Sequence, residues 1–234
     1  MLSAGLGALL LALAGPVPAL AGHSLFCMHM TQLLLLTLVM APLLLLGSPP
    51  GLFAAIARRP GLARAARFAG HPVVGGGLFL ANLAAWHLVP LFDLMMRNPG
   101  VHLGAQVLFV VTALMAWWPV CCPLAEAGRI REPAQMVYLF LLGAPMQVLA
   151  AVISMSQTVL YPWYGDAGRA WGFTPLADQQ LGGLLLWVPG GLGFWVAITV
   201  VWLVWARRAG QRGLSGPGDG PGDEPPLTLP KIPS

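Results

Sequence analysis

The sequence predicts an all-α integral membrane protein: a helical bundle of five transmembrane helices, preceded by an N-terminal signal or a sixth helix. Three observations predict it. Only 9% of the residues are charged, against about 25% in soluble domains. Hydrophobic residues make up 57%, and the mean hydropathy is +0.76. The apolar runs are long and continuous, unlike the alternating strands of a barrel.

The elements follow in order. Residues 2–21, "LSAGLGALLLALAGPVPALA", have a short apolar core, then prolines, then the A-x-A pattern Ala19-Leu20-Ala21. That is the plan of a secretory signal, though the basic n-region is missing. The segment 1–21 therefore reads as a signal or as a retained first helix. Either reading leaves Gly22 outside the cytoplasm. Five apolar runs then build a bundle over 22–206, at about 24–47, 71–94, 101–122, 135–160 and 178–206, each long enough to span. Pro42, Pro145 and Pro189 fall inside them and are expected to bend them.

Charge sets the orientation. Eleven of the twelve basic residues are arginine. Arg58, Arg59, Arg64 and Arg67 lie in one loop, Arg129 and Arg131 in another, and Arg207, Arg208 and Arg212 after the last run. The alternate loops carry only Arg97 and Arg169. The positive-inside rule places the three clusters and the C-terminus in the cytoplasm. Arginines beside apolar runs set topology and face lipid; they do not form a nucleic-acid patch. Residues 207–234 read as a cytoplasmic disordered tail, rich in Pro and Gly from Gly213 onward. Cys121 and Cys122 would face a reducing compartment and stay unpaired.

Polar groups inside spans are costly, so each needs a reason. With this topology most gather at the outer face. His23, Cys27, Met28, His29, Met30 and Gln32 open the first long run. His87 and Asp93 end the second, and Met95 and Met96 follow in the turn. His102 and Gln106 open the third, and Asp178, Gln179 and Gln180 the last. At about 100° per residue, His23, Cys27 and Met30 share one stripe of N, S and S donors, with His29 roughly 100° from Met30. Thiolate, thioether and imidazole together suit copper, above all Cu(I). His87 and His102 could complete a shell that one helix cannot. Methionine beside leucine is also ordinary filler, so the cluster reads equally as packing at a helix end. His102 and Gln106, at i and i+4, suggest a hydrogen-bonded pair. Asp178 in a first helical turn is favoured by the helix dipole alone. The motifs of nucleotide hydrolysis, triad hydrolysis and zinc proteolysis are absent, and the chain reads as no enzyme.

The blocks "AWHLVPLFD" (85–93), "RNPGVH" (97–102), "WWPV" (117–120), "LYPWY" (160–164) and "PLADQQLGGLLLWVPGGL" (175–192) occur in that order. In these the chain resembles the multi-spanning CtaG family of bacterial proteins tied to cytochrome c oxidase assembly. The resemblance covers about 23–206. It implies a role in maturing the oxidase in the bacterial inner membrane, by handling copper on the outer face with oxidase subunits or other assembly factors as partners. His29-Met30, His87, His102 and Asp178-Gln179-Gln180 match the family pattern. That pattern also has a histidine four residues after His29 and another four after His102; here these are Leu33 and Gln106, and Ala105 stands where an acid is usual.

The expected metal ligands are thus His29, His87 and His102, with Cys27 and Met30 as soft partners and Asp178, Gln179, Gln180 and Gln106 as further functional residues. Ligation needs neutral imidazoles, so binding should weaken below about pH 6. The rival readings are a copper or small-solute permease and a haem-binding membrane cytochrome.

Overall fold

A computed structural model describes residues 1–123, 128–165 and 172–214, apart from the side chains of Pro16, His23 and 212–214. Arg169, the side chain of Arg212 and the tail beyond Leu214 thus lie outside the described residues. Every regular element among those described is helical. Among the described residues, five helical stretches are long and apolar enough to cross a membrane: Leu2–Gly22, Phe26–Gly47, Pro99–Cys121, Glu132–Met155 and Pro175–Gln211.

The first stretch is two helices, α1 (Leu2–Ala14) and α2 (Pro16–His23), broken at Gly15 before Pro16. It is built into the bundle. Ala8, Ala12 and Ala21 are buried. The Gln32 side-chain amide donates to the carbonyl of Ala12 at 2.8 Å, tying the end of α1 to the next span.

That span is α3 (Phe26–Leu34), a π-helical turn (Leu35–Met40) and α4 (Ala41–Gly47). The π-helical turn stands just before Pro42, where the sequence predicts a bend. In a π register the amide that would reach the Thr37 carbonyl belongs to residue 42, and proline has none. The Trp117 indole takes its place, donating to that carbonyl at 2.7 Å.

The Arg-rich loop is helical: α5 (Pro50–Arg58) and α6 (Pro60–Ala69). The second expected span is shorter than the sequence suggests. α7 (Pro72–His87) stops where Leu88 turns extended, and α8 (Val89–Arg97) begins anew. Pro90 has no amide to donate to the carbonyl of Trp86 one turn back, and its ring would clash with that carbonyl in a continuous helix. Sixteen residues rise about 24 Å, short of the roughly 30 Å hydrocarbon core. α7 passes as a span only together with α6, at a bend of 55°.

α9 (Pro99–Cys121), α10 (Glu132–Met155) and α11 (Pro175–Leu214) complete the bundle. α10 ends before the run expected to reach 160, and 156–161 is irregular chain. Pro145 and Pro189 lie inside α10 and α11, which stay helical through them. α11 also runs on to Leu214, past the expected end of the bundle. At the arginine end Arg208 pairs with Glu132, joining α11 to α10.

α11 packs mainly on α10 and α3, and two adjacent glycines allow it. A Cβ on Gly182 would stand 2.5 Å from Phe26 Cδ1, and one on Gly183 would stand 2.5 Å from the Ser154 amide nitrogen. A phenyl ring can move; a helix backbone cannot without moving α10. Gly183→Ala is therefore expected to destabilise by about 1–3 kcal/mol and Gly182→Ala by less, read from thermal midpoints in one detergent. Equal midpoints for wild type and Gly183→Ala would refute this packing.

Candidate functional site

The polar residues gathered by the sequence do meet at one end of the bundle, built by the start of α3, the end of α7, α8, the starts of α9 and α11, and the 156–165 loop. Three pieces compose it.

The first is a cleft with about 20 Å³ of room, lined by His29, Gln32, Leu33, Leu36, Met95, His102, Ala105, Gln106 and Phe109. Such a space admits one water or one ion. His29, Gln32 and Leu33 of α3, at i, i+3 and i+4, share one helical face, and Leu36 of the π-helical turn follows. The His29 and His102 rings lie 6.1 Å apart, and His29 meets Phe92 edge-on at 5.3 Å. His102 and Gln106 do pair, Nε2 to Nε2 at 3.3 Å.

The second is His87, buried at the end of α7. Its Nδ1 lies 2.7 Å from the carbonyl of Leu83. A carbonyl only accepts, so Nδ1 carries the proton, and a neutral ring must then have a bare Nε2. That Nε2 is buried without a hydrogen-bond partner, as is Nδ1 of His29. His29 is within electrostatic reach of both His87 and His102. A ring fixed through one nitrogen by a backbone carbonyl, with the other bare, is the usual state of a metal-ligating histidine.

The third is a clasp. Asp178 is fully buried and accepts from the amides of Phe26 at 2.6 Å and Cys27 at 3.1 Å. Gln179 accepts from the amide of Leu160 at 2.6 Å and donates to the carbonyl of Thr158 at 3.1 Å. Gln180 donates to the carbonyl of Ser156 at 3.0 Å. The loop so held packs against the start of α3, the end of α7 and α8. Tyr161 donates to the His87 carbonyl at 3.0 Å, and Tyr164 to the carbonyl of Ala21. Phe26, Phe92, Tyr161 and Tyr164 form an aromatic cluster, with Phe26 stacked on Tyr161 at 4.9 Å. Burial pushes the Tyr161 phenol up to about 12 and that of Tyr164 well above its ordinary value. Both therefore stay protonated donors at any physiological pH.

The expected ligands are thus divided. His29 and His102 share the cleft, joined by Met95, and His87 stands near. Cys27 and Met30 are buried but are not among the cleft's lining residues. They sit about 160° and 100° round α3 from His29, and the Cys27 backbone lies against Gly182 of α11. Among the described residues no three His, Cys, Asp or Glu side chains form a group that could hold a metal ion. Leu33 and Gln106 both line the cleft. Sequence reasoning gave no role to Phe26, Phe92, Tyr161 or Tyr164, although "LYPWY" marked the loop.

The model of the family described as cytochrome c oxidase caa3 assembly factor matches residues 2–208. Among curated proteins, uncharacterised proteins of Mycobacterium bovis and Mycobacterium tuberculosis are each 27% identical to the chain over 204 residues. An uncharacterised protein of Mycobacterium leprae is 23% identical over 209 residues. Each match takes in 80% of this chain but only 31% of the relative. No solved structure matches the chain. With the family model extending over nearly all the described residues, the chain belongs to the cytochrome c oxidase caa3 assembly factor family.

Proposed function

We propose that the chain is an assembly factor for cytochrome c oxidase that takes up Cu(I) as cargo at the His29–His102 cleft and hands it to an oxidase subunit or a second assembly factor. The arginine end and the C-terminus face the cytoplasm, so the cleft opens on the outer side of the bacterial inner membrane. The role is binding and transfer, with no catalysis.

One observation carries this reading: His29 Nδ1 and His87 Nε2 are buried without partners at the same end of the bundle. Burying a polar atom unpaired is costly, and a bound ion removes the cost. Imidazole and the thioether of Met95 suit copper, and few donors suit a cargo that must leave again. Room of about 20 Å³ favours an ion over a porphyrin.

Copper stoichiometry of the purified protein under reducing conditions tests the proposal. Wild type is expected to bind, with His29→Ala, His87→Ala and His102→Ala each weakening binding by about tenfold or more, roughly 1.4 kcal/mol. No copper on wild type, or wild-type affinity in all three variants, would overturn it.

A further inference from the structure

Between α4 and α7 the chain leaves the membrane for a helical hairpin, α5 and α6. These helices are nine and ten residues long, below the roughly 12–15 residues at which a helix holds by itself in water. The bundle covers little of them: Phe53 is the one buried residue of α5, and Ala63 that of α6. What the bundle supplies is a fixed seat at the end of α9. Phe53 meets the Trp118 ring at 5.7 Å, and Gly70, just after α6, packs on the same ring.

The uncovered surface is of two kinds. Leu52, Leu62 and Phe68 are exposed, Phe68 at 68%. Leu62, Ala65 and Phe68 fall within one arc of roughly 120° round α6, and Arg64 stands about 40° beyond Phe68. The buried Ala63 lies outside that arc. Residues 48–71 hold four arginines and no acid. The side chains of Arg58, Arg59 and Arg64 are exposed and pair with no other described residue. The neighbouring loop does not offset them, since 123–132 carries two arginines of its own for its two glutamates. An apolar arc flanked by arginine, at the level where two spans leave the bilayer, suits the lipid interface. Unpaired arginines beside a span favour anionic headgroups there.

We propose that the α5–α6 hairpin docks on an anionic lipid surface, with Leu62 and Phe68 entering the acyl boundary and Arg58, Arg59 and Arg64 meeting lipid phosphates. Lipid would then cover the helix faces that the bundle leaves bare. The proposal is independent of the copper reading.

The test uses the full chain in nanodiscs of phosphatidylcholine, alone or mixed with phosphatidylglycerol, and follows amide hydrogen exchange by mass spectrometry. Peptides covering 50–69 are expected to exchange about tenfold or more slowly when phosphatidylglycerol is present. High ionic strength, which screens surface charge, should remove that protection. The triple variant Arg58→Gln, Arg59→Gln, Arg64→Gln is expected to exchange in the mixture as wild type does in phosphatidylcholine alone, and Phe68→Ser should lose most of the protection. Arg207→Gln, a charge removed from α11, should leave this segment unchanged. Equal exchange in the two lipids, protection that survives high salt, or full protection in the triple variant or in Phe68→Ser would overturn the proposal. So would an equal loss with Arg207→Gln. Loss of protection in the variant Asp219→Asn, Asp223→Asn, Glu224→Gln would overturn it too, because the face would then be covered by the acids of the chain's own C-terminal segment.

Discussion

Asp178→Ala is expected to destabilise the protein by about 2–6 kcal/mol, a large part of the stability of any domain. The α3 helix begins at Phe26 after Leu25, a residue with no side chain to cap it. The first amides of a helix have no partner within it. Two of them, those of Phe26 and Cys27, are satisfied by the Asp178 carboxylate, more than 150 positions later in the chain. The carboxylate is fully buried, so water cannot replace it. Alanine would leave two buried donors unsatisfied, at about 1–3 kcal/mol each. Asn keeps one acceptor oxygen but loses the charge that makes such bonds roughly twice as strong, so Asp178→Asn should fall between the two. Thermal melting in detergent, followed by circular dichroism, reads all three. A midpoint for Asp178→Ala equal to that of wild type would show that the carboxylate does not hold α3. Because α3 carries His29, copper binding should weaken in parallel with stability.

The same residue shows how far the sequence could be read. Its own helix explains an acid at Asp178 through the dipole, and that local reason suffices. The reason visible in the structure is another helix's N-terminus, and nothing near residue 178 announces it. Gln179 and Gln180 are alike: their partners are carbonyls and amides of the 156–161 loop, which carry no side-chain signature. The spans were legible because apolar length alone predicts them. The break at Leu88 was signalled by Pro90, but the apolar run continues across it. The π-helical turn left only Pro42 as a trace.

The site was legible to the same degree. The topology put His29, His87 and His102 at one end, and the structure agrees. Which face of α3 turns toward α9 was not legible, because spacing fixes angles between residues and not the direction of a face. Cys27 and Met30 were grouped with His29 by their donor chemistry. The helix separates them, and it is Met95, from α8, that joins the cleft.

The resemblance implies histidines at residues 33 and 106, where this chain carries Leu33 and Gln106. Leu33 follows His29 by one helical turn, and Gln106 follows His102 likewise, so each lies on the same face as its histidine. All four line one cleft. Imidazoles at these two positions would therefore line the cleft, and neither Cys27 nor Met30 is among its lining residues. Met95 is the soft donor at hand. The double variant Leu33→His, Gln106→His is then expected to tighten copper binding by on the order of tenfold or more, the scale on which neighbouring groups change metal affinity. The gain should be largest at neutral pH, where the added rings are unprotonated, and fade below about pH 6. It should also lessen the preference for Cu(I), since nitrogen ligands would then outnumber the thioether. Competition titration against a Cu(I) chelator, at pH 7.5 and 5.5, measures each of these. If the double variant binds no more tightly than wild type while Met95→Leu abolishes binding, copper is held by the thioether side of the cleft and the imidazole face of α3 is not its seat.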